Sequence, residues 1–285
     1  MTGISVSAVT AYTAHREWAS RPPDERYASV QTLYEAARTR RARIEERTTE
    51  TVNLRTEVVD DDDLAIRNTS GRTAALTHWS FGQLATLASA PPSYLRTLPA
   101  AIASSAINYG LQQFARDEYQ LFIERTAPWT VHAITSPRYA RVQHDELAGR
   151  VLALMADHPA WHLPLGYKDG EFGAEKVPSG AYLGDRDMFL FLVDGNRDLD
   201  DPTDSTHAGL FRGFILRNSD VGAAALTLDV FLFRAVCANH VVWGFQHVAG
   251  FRRRHVGASI QDEWTASLES VRSARQRPPR RTPRH

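Results

Sequence analysis

Apolar residues recur every three or four positions in several stretches of the chain, a spacing that places them on one face of an α-helix. The first predicted helix starts near Pro22 to Asp24 and runs towards Glu46. Its apolar face consists of Tyr27, Val30, Tyr34 and Ala37. A second predicted helix is THWSFGQLATLAS, in which Thr77 is the N-cap residue.

Three further helices follow along the chain. PAAIASSAINYGLQQFAR, residues 99–116, has Ile102, Ala106 and Tyr109 on one face, which we expect to pack against the core. HDELAGRVLALMADH, residues 144–158, is the next. In the last, SIQDEWTASLESVRSAR, Ser259 and Asp262 form a capping-box pattern ahead of an apolar stripe of Ile260, Trp264, Leu268 and Val271.

Between these helices, apolar and polar residues alternate as they do in β-strands. Residues 49–76 are predicted to form short antiparallel strands joined by turns at Asp60–Asp63 and Ser70-Gly71. Further predicted strands are YQLFIERT, WTVHAITS, WHLPLGY, GAYLG, DMFLFLVD and the apolar runs between Gly209 and Gly244. Strands and helices are grouped and do not alternate one by one, which predicts an α+β fold with a mainly antiparallel sheet and packed helices.

The same patterns predict one domain over residues 20–275 after an N-terminal extension at residues 1–19. The final segment, QRPPRRTPRH at residues 276–285, is a basic, proline-rich tail that we expect to be disordered. The first residues lack the basic-then-apolar order of a signal peptide, and no apolar run reaches the roughly 18 residues of a membrane span. We therefore expect a cytoplasmic protein that does not enter a membrane.

The charged residues and the cysteine content limit the kinds of binding site that the chain can form. The formal net charge is +0, and Lys168 and Lys176 are the only lysines, so nearly all positive charge is arginine. The planar arginine fork suits phosphate and carboxylate groups, although a GC-rich genome produces the same bias. The single cysteine, Cys237, excludes an internal disulfide and cannot by itself form a thiolate metal site.

Three stretches contain metal-ligand residue types, and none has the spacing of a metal site. Asp60–Asp63 is expected to be a solvated turn. The run from Asp194 to Ser205 begins like a calcium loop but has Leu199 where glycine is required and Ser205 where the bidentate glutamate belongs. Cys237, His240, His247 and His255 are zinc-ligand types without zinc-site spacing. We expect no metal and no cofactor, and the signature motifs of common enzyme classes are absent from the sequence.

Arginines occur in two places where they could meet an anion. Arg138, Tyr139 and Arg141 precede the predicted helix at residues 144–158, and a helix N-terminus with nearby arginines can hold an anion. Alternatively, these arginines pair with Asp145 or Glu146. Arg252, Arg253 and Arg254 are consecutive and cannot all face a core, so at least part of this cluster is available to phosphates.

The apolar block from Gly209 to Gly244 contains polar residues that need partners if they are buried. We expect a network that fixes strand register, formed by Asn218, Ser219, Asp220, Gly222, Arg234 and Asn239. In this interpretation Ser219 or Asp220 caps a tight turn that Gly222 makes possible, and Arg234 reaches back to a carboxylate or to the turn carbonyls. The alternative is that these groups face a ligand.

Several motifs occur in an order that resembles a known family: ALTHWSFGQLATLASAPPSYL, INYGL, SPRYARVQHDEL, NSDVG, FRAVCANH and RRRHVG. The chain resembles the phage/plasmid-like proteins built on the domain of unknown function 932 (DUF932), over most of residues 20–275. Asn218, Ser219, Asp220 and Gly222 match the family's turn, and Arg234, Cys237 and Asn239 match its Arg-x-x-Cys-x-Asn run. His240 departs from the glycine that is usual in the family. The resemblance implies a mobile-element setting and brings no catalytic residues with it.

These observations favour a protein that binds single- or double-stranded nucleic acid without catalysis, as an accessory in recombination or replication. The contact residues would be Arg138, Arg141, Arg252, Arg253 and Arg254. One alternative is an enzyme acting on nucleotides or nucleic acid through Asp220, Asn239, His240 and His255. A second alternative is a structural or anti-defence protein that acts through protein contacts. Self-association into a homo-oligomer is left open.

Overall fold

Two six-stranded β-sheets, each covered by its own helices, form most of the described structure. The computed structural model describes residues 11–59, 63–67, 71–113, 118–167, 175–199, 210–236, 241–255 and 266. The helices are α1 (Ala11–Ala19), α2 (Val30–Arg43), α3 (His78–Leu87), α4 (Pro92–Leu95), α5 (Ala100–Gln113) and α6 (His144–Asp157), with 3₁₀ turns at Pro23–Glu25 and Thr51–Asn53. The predicted α+β class with mostly antiparallel strands is confirmed.

The first sheet comes from the N-terminal half of the chain. Its strands are β1 (Ile44–Glu50), β2 (Arg55–Val58), β3 (Leu64–Arg67), β4 (Thr73–Leu76), β5 (Glu118–Glu124) and β6 (Thr130–Thr135). They lie in the order β1-β5-β6-β4-β3-β2, and every neighbouring pair is antiparallel except β4 with β6. Helices α3 to α5 pack on one face, where Leu84, Ile107 and Leu121 are buried in one apolar cluster.

The second sheet comes from the C-terminal half. Three short strands precede its main path: β7 (Trp161–His162), β8 (Leu165–Tyr167) and β9 (Lys176–Pro178). Of these, β8 and β9 pair with each other as a separate two-stranded sheet. The path of the second sheet is β10 (Ala181–Leu183), β11 (Met188–Leu199), β12 (Leu210–Asn218), β13 (Leu226–Val236) and β14 (Val241–Arg253), with β7 beside β11. All these pairings are antiparallel.

Both faces of the second sheet are covered. Helices α2 and α6 pack on one face, where Leu33, Leu147 and Phe214 are buried. Helix α1 packs on the other, where Trp18 lies among Phe189 and Phe231 and donates from Nε1 to the carbonyl of Ala181 at 3.1 Å. Residues 11–19 therefore contribute to the core, and a domain boundary at residue 19 stays a prediction.

Two details of the sequence-based prediction are wrong. Helix α2 starts at Val30, not near Pro22, because the Ser29 side chain accepts a hydrogen bond from the Thr32 amide and caps the helix there. In α5 the face with Ile102 and Tyr109 points outwards, with 54% and 65% of these residues exposed. The buried face instead consists of Ala100, Ala103, Ser104, Ile107, Gly110 and Leu111.

Small residues let α5 approach the end of α3 closely. A Cβ atom on Gly110 would lie 2.1 Å from the carbonyl oxygen of Ala88, so only glycine fits at this contact. None of the described helices combines the length and apolar character needed to cross a membrane. The turn at Asp60–Asp62, the predicted last helix and the basic tail lie outside the described residues apart from Ala266.

Candidate functional site

The turn between β12 and β13, Asn218–Gly222, has three consecutive buried polar residues. Asn218 and Ser219 are fully buried and Asp220 nearly so. Gly222 has a φ of +85°, a left-handed conformation that favours glycine. The sequence motif thus forms a tight buried turn, and its polar groups need partners within the protein.

Four side chains from outside the second sheet donate to consecutive carbonyl groups of this turn. The Tyr139 hydroxyl donates to Ser219 O at 2.7 Å, and the Arg141 guanidinium donates to Asp220 O. Both Trp79 Nε1 and Gln83 Nε2 donate to Val221 O, at 2.9 and 3.0 Å. The turn is therefore held by α3 and by the segment before α6.

Gln83 connects this turn directly to the first sheet. Its Oε1 accepts a hydrogen bond at 2.8 Å from the amide of Ile134, a residue of β6. The Val221 side chain also packs with Phe122 and Ala133 in a small apolar cluster between the two sheets. The turn thus connects the second sheet to the first.

Side chains within the turn form further hydrogen bonds. Ser219 Oγ accepts from the Ala223 amide at 2.8 Å, so Ser219 and not Asp220 makes the capping bond. Asn218 Nδ2 donates to Val142 O at 2.9 Å. Arg234 lies in β13, but its side chain is outside the described part of the structure, as is all of Asn239. Their membership of the network stays a prediction.

Arg141 is part of the interior. Only 4% of its side chain is exposed, its Nε lies 3.7 Å from Glu46 Oε2, and its guanidinium stacks 4.1 Å from the Phe122 ring centroid. Burial lowers the pKa of Arg141, and the neighbouring Glu46 opposes this shift. From the sequence, Asp145 or Glu146 were the alternative partners for the arginines before α6. In the structure, Arg141 instead contacts Glu46 and the carbonyl group of Asp220.

His144, the first residue of α6, lies against the turn. Its Nδ1 is 3.4 Å from Asp220 Oδ2, and both side chains are buried. Burial lowers the pKa of His144 from its ordinary value of 6.5, and the nearby Asp220 carboxylate acts in the opposite direction. The adjoining cavity measures about 10 Å³, room for one water molecule and not for an organic substrate.

The two predicted arginine segments meet beside this turn. The Ala140 amide donates to His255 O at 3.0 Å, and His255 Nδ1 lies 3.1 Å from Ala140 O. The Tyr139 ring stacks on the His255 ring with their centroids 5.0 Å apart. Chain positions 138 and 254 are therefore brought together although they are far apart in the sequence.

We call the exposed arginines at this junction the arginine surface; they are Arg138, Arg252, Arg253 and Arg254. Arg253 shares a sheet face with Phe251, which packs against the core under α2 and α6. Because side chains alternate along a strand, Arg252 projects from the opposite face. The arginine surface thus wraps around the end of β14 and does not form one flat patch.

The comparison with protein families agrees with part of the resemblance seen in the sequence. Residues 180–278 match the family model described as "Domain of unknown function (DUF932)". The similarity to DUF932 covers about a third of the chain, all of it in the C-terminal half. No curated protein matches the chain, and no solved structure matches it.

The matched range contains the buried turn and Arg252 to Arg254. The matched range nevertheless makes contacts with residues that precede it, because Trp79, Gln83, Tyr139 and Arg141 donate to its turn. Sequence reasoning missed Trp79, Gln83 and His144. The available signal for the first two was their spacing of four on α3, which places them on the same side of that helix.

The described residues contain no group of three His, Cys, Asp or Glu side chains placed to hold a metal ion. In the calcium-like run, Asp194 Oδ1 instead accepts from the Asn196 amide at 2.9 Å, a local turn bond. His255 bonds to Ala140, whereas Cys237 and His240 lie outside the described residues. The expectation of a protein without metal or cofactor stays a prediction.

Proposed function

We propose that this protein binds nucleic acid through the arginine surface and catalyses no reaction there. The observation that carries the proposal is the pairing of Ala140 with His255, which joins exposed Arg138 to exposed Arg252 and Arg254. Arginine binds phosphate through its planar fork, and a cluster of such contacts gives affinity without reading sequence.

The rigidity of the surrounding structure supports the same proposal. Tyr139 is fixed by its bond to Ser219 O and by its stacking on His255, so the backbone that carries Arg138 and Arg254 is held on both sides. A preordered cationic surface loses less entropy when it binds a polyanion than a flexible one does. Arg141, although predicted as a contact, acts in this proposal as the buried support of the surface.

An enzymatic site at the buried turn is less well supported. The Asp220 and His144 pair is enclosed, and the adjoining cavity of about 10 Å³ does not admit a nucleotide. The proposed role is that of a nucleic-acid accessory in recombination or replication, in the cytoplasm and in the setting of a phage or plasmid. Self-association into a homo-oligomer stays a prediction.

Binding of fluorescein-labelled oligonucleotides tests the proposal. The triple variant Arg252→Gln, Arg253→Gln, Arg254→Gln should bind at least about tenfold more weakly than wild type at low salt, because it removes several phosphate contacts. A matched control is Arg43→Gln, Arg67→Gln, Arg125→Gln, since these side chains are 54–57% exposed and each lies near a glutamate. Equal weakening in both variants would show a general charge effect and contradict the proposal.

A further inference from the structure

A second cavity lies on the first sheet, remote in sequence from the DUF932 domain. It measures about 240 Å³ and opens beside β1, between the sheet and the 3₁₀ turn at Thr51–Asn53. Its floor is apolar and consists of Leu54, Ile66, Ala74, Leu121, Ile123 and Val131. Its volume is slightly below the roughly 300–1,000 Å³ of most ligand pockets, so it suits a small ligand.

The rim of this cavity differs from its floor. It consists of Arg47, Arg72, Trp129, Asn53 and three threonines, Thr48, Thr49 and Thr73. Among the described residues that line the cavity, two are arginines and none is a carboxylate, so an anionic group at the rim would meet positive charge and hydroxyl donors.

The rim groups are held in place by neighbouring side chains. Arg47 donates from Nε and Nη2 to Glu45 Oε1, at 3.1 and 2.8 Å, which orients its planar fork. Trp129 is contacted by the guanidinium groups of Arg72 and Arg125, at 5.0 and 5.7 Å from its ring centroid. Such cation–π contacts fix an aromatic ring at a surface.

From this combination we propose that the cavity binds a small anion with a flat, largely apolar body, of which a nucleoside monophosphate is the simplest example. The base would lie on the apolar floor beside Trp129, and the phosphate would meet Arg47 and Arg72 at the rim. This inference does not depend on the proposed function, because β1 to β6 and the arginine surface share no residue.

Isothermal titration calorimetry of the full chain with adenosine monophosphate, adenosine and inorganic phosphate tests the proposal. The nucleotide should bind with one site per chain and at least about tenfold more tightly than either fragment, since one charge-assisted contact contributes roughly that factor. Equal affinity for phosphate would show a bare anion site, and equal affinity for adenosine a merely apolar one. Either result, or no binding, would overturn the proposal.

Variants locate the binding. Arg72→Gln should weaken nucleotide binding about tenfold while the thermal midpoint stays unchanged, because Arg72 is exposed. The control is Arg96→Gln, since Arg96 also stacks 5.0 Å from an aromatic ring, that of Phe81, but does not line the cavity. Ala74→Leu, which fills the floor, should abolish binding. Unchanged affinity in Arg72→Gln, or equal losses in the Arg72 and Arg96 variants, would contradict this location.

Discussion

Nδ1 of His144 lies 3.4 Å from Oδ2 of Asp220, and this buried contact joins the first turn of α6 to the turn between β12 and β13. Around it, side chains from α3, from β6 and from the segment before α6 meet on three consecutive residues of the chain, Ser219, Asp220 and Val221. The sheets are therefore connected by polar contacts of defined geometry as well as by apolar packing.

The buried histidine makes stability depend on pH. The pKa of His144 is lowered in the folded state, so below its ordinary value of 6.5 the unfolded chain binds a proton that the folded chain does not. The unfolding free energy should therefore be constant above about pH 6.5 and fall as the pH drops, by at most about 1.4 kcal/mol per pH unit for each such histidine.

Denaturant unfolding at several pH values tests this dependence. His15, His132 and His255 also have pKa values lowered by burial and add to the slope. His144→Gln should make the slope between pH 7 and 5 visibly shallower. The control is His78→Gln at an exposed position. If both variants keep the wild-type slope, His144 is not a buried neutral histidine.

The hydroxyl of Tyr139 should contribute measurably to stability. Tyr139→Phe keeps the ring stacked on His255 and removes only the 2.7 Å bond to Ser219 O, so we expect a loss of about 1 kcal/mol. Tyr109→Phe is the matched control, because Tyr109 is exposed on α5 and should change the unfolding free energy little. Similar values for both variants would argue against the Tyr139 bond as a support of the turn.

The positive φ of Gly222 predicts a cost for any side chain there. Gly222→Ala should destabilise the protein by about 1–2 kcal/mol, the strain of a left-handed residue. Gly82→Ala in α3 should have the opposite sign, because alanine is the better helix former and its Cβ would meet only the end of Arg96 at 3.4 Å. Thermal or denaturant unfolding distinguishes the two, and a neutral Gly222→Ala would contradict the turn geometry.

Much of the fold was predictable because alternation and helical spacing are local signals. Helix starts are harder to predict from such signals. Thr77 was correctly identified as the N-cap of α3, whereas the start of α2 was placed at the prolines that precede its true N-cap, Ser29. The buried face of α5 could not be deduced from hydrophobicity. At a close helix contact the small residues Ala103 and Gly110 fit where Ile102 and Tyr109 do not.

The candidate site was predictable only in part. The motif from Asn218 to Gly222 identified a buried polar turn, but not the groups that satisfy it. Tyr139 is 80 positions away from Ser219, and Trp79 is 142 away from Val221. Such pairings depend on how the two sheets meet, and a single sequence contains no direct signal for that arrangement.

Substitutions of Arg141 and Arg138 should have different effects, although both residues precede α6: the first should lower stability and the second should weaken oligonucleotide binding. Arg141→Gln removes a buried guanidinium between Glu46 and the Asp220 carbonyl, so we expect a loss of about 2–4 kcal/mol. Arg138→Gln at an exposed position should change the unfolding free energy by less than about 0.5 kcal/mol and weaken oligonucleotide binding. The reverse pattern would mean that the roles of the two arginines are exchanged.

The salt dependence of nucleic-acid binding tests the central claim most directly. For wild type, the logarithm of the binding constant should fall linearly with that of the salt concentration, with a slope of about −0.7 per phosphate contact on a single strand. The triple variant Arg252→Gln, Arg253→Gln, Arg254→Gln should have a flatter slope, by the equivalent of about two to three phosphate contacts. Its thermal midpoint should stay within about two degrees of the wild-type value. Wild type without salt-dependent binding to DNA or RNA at about 50 mM salt would contradict nucleic-acid binding by the arginine surface.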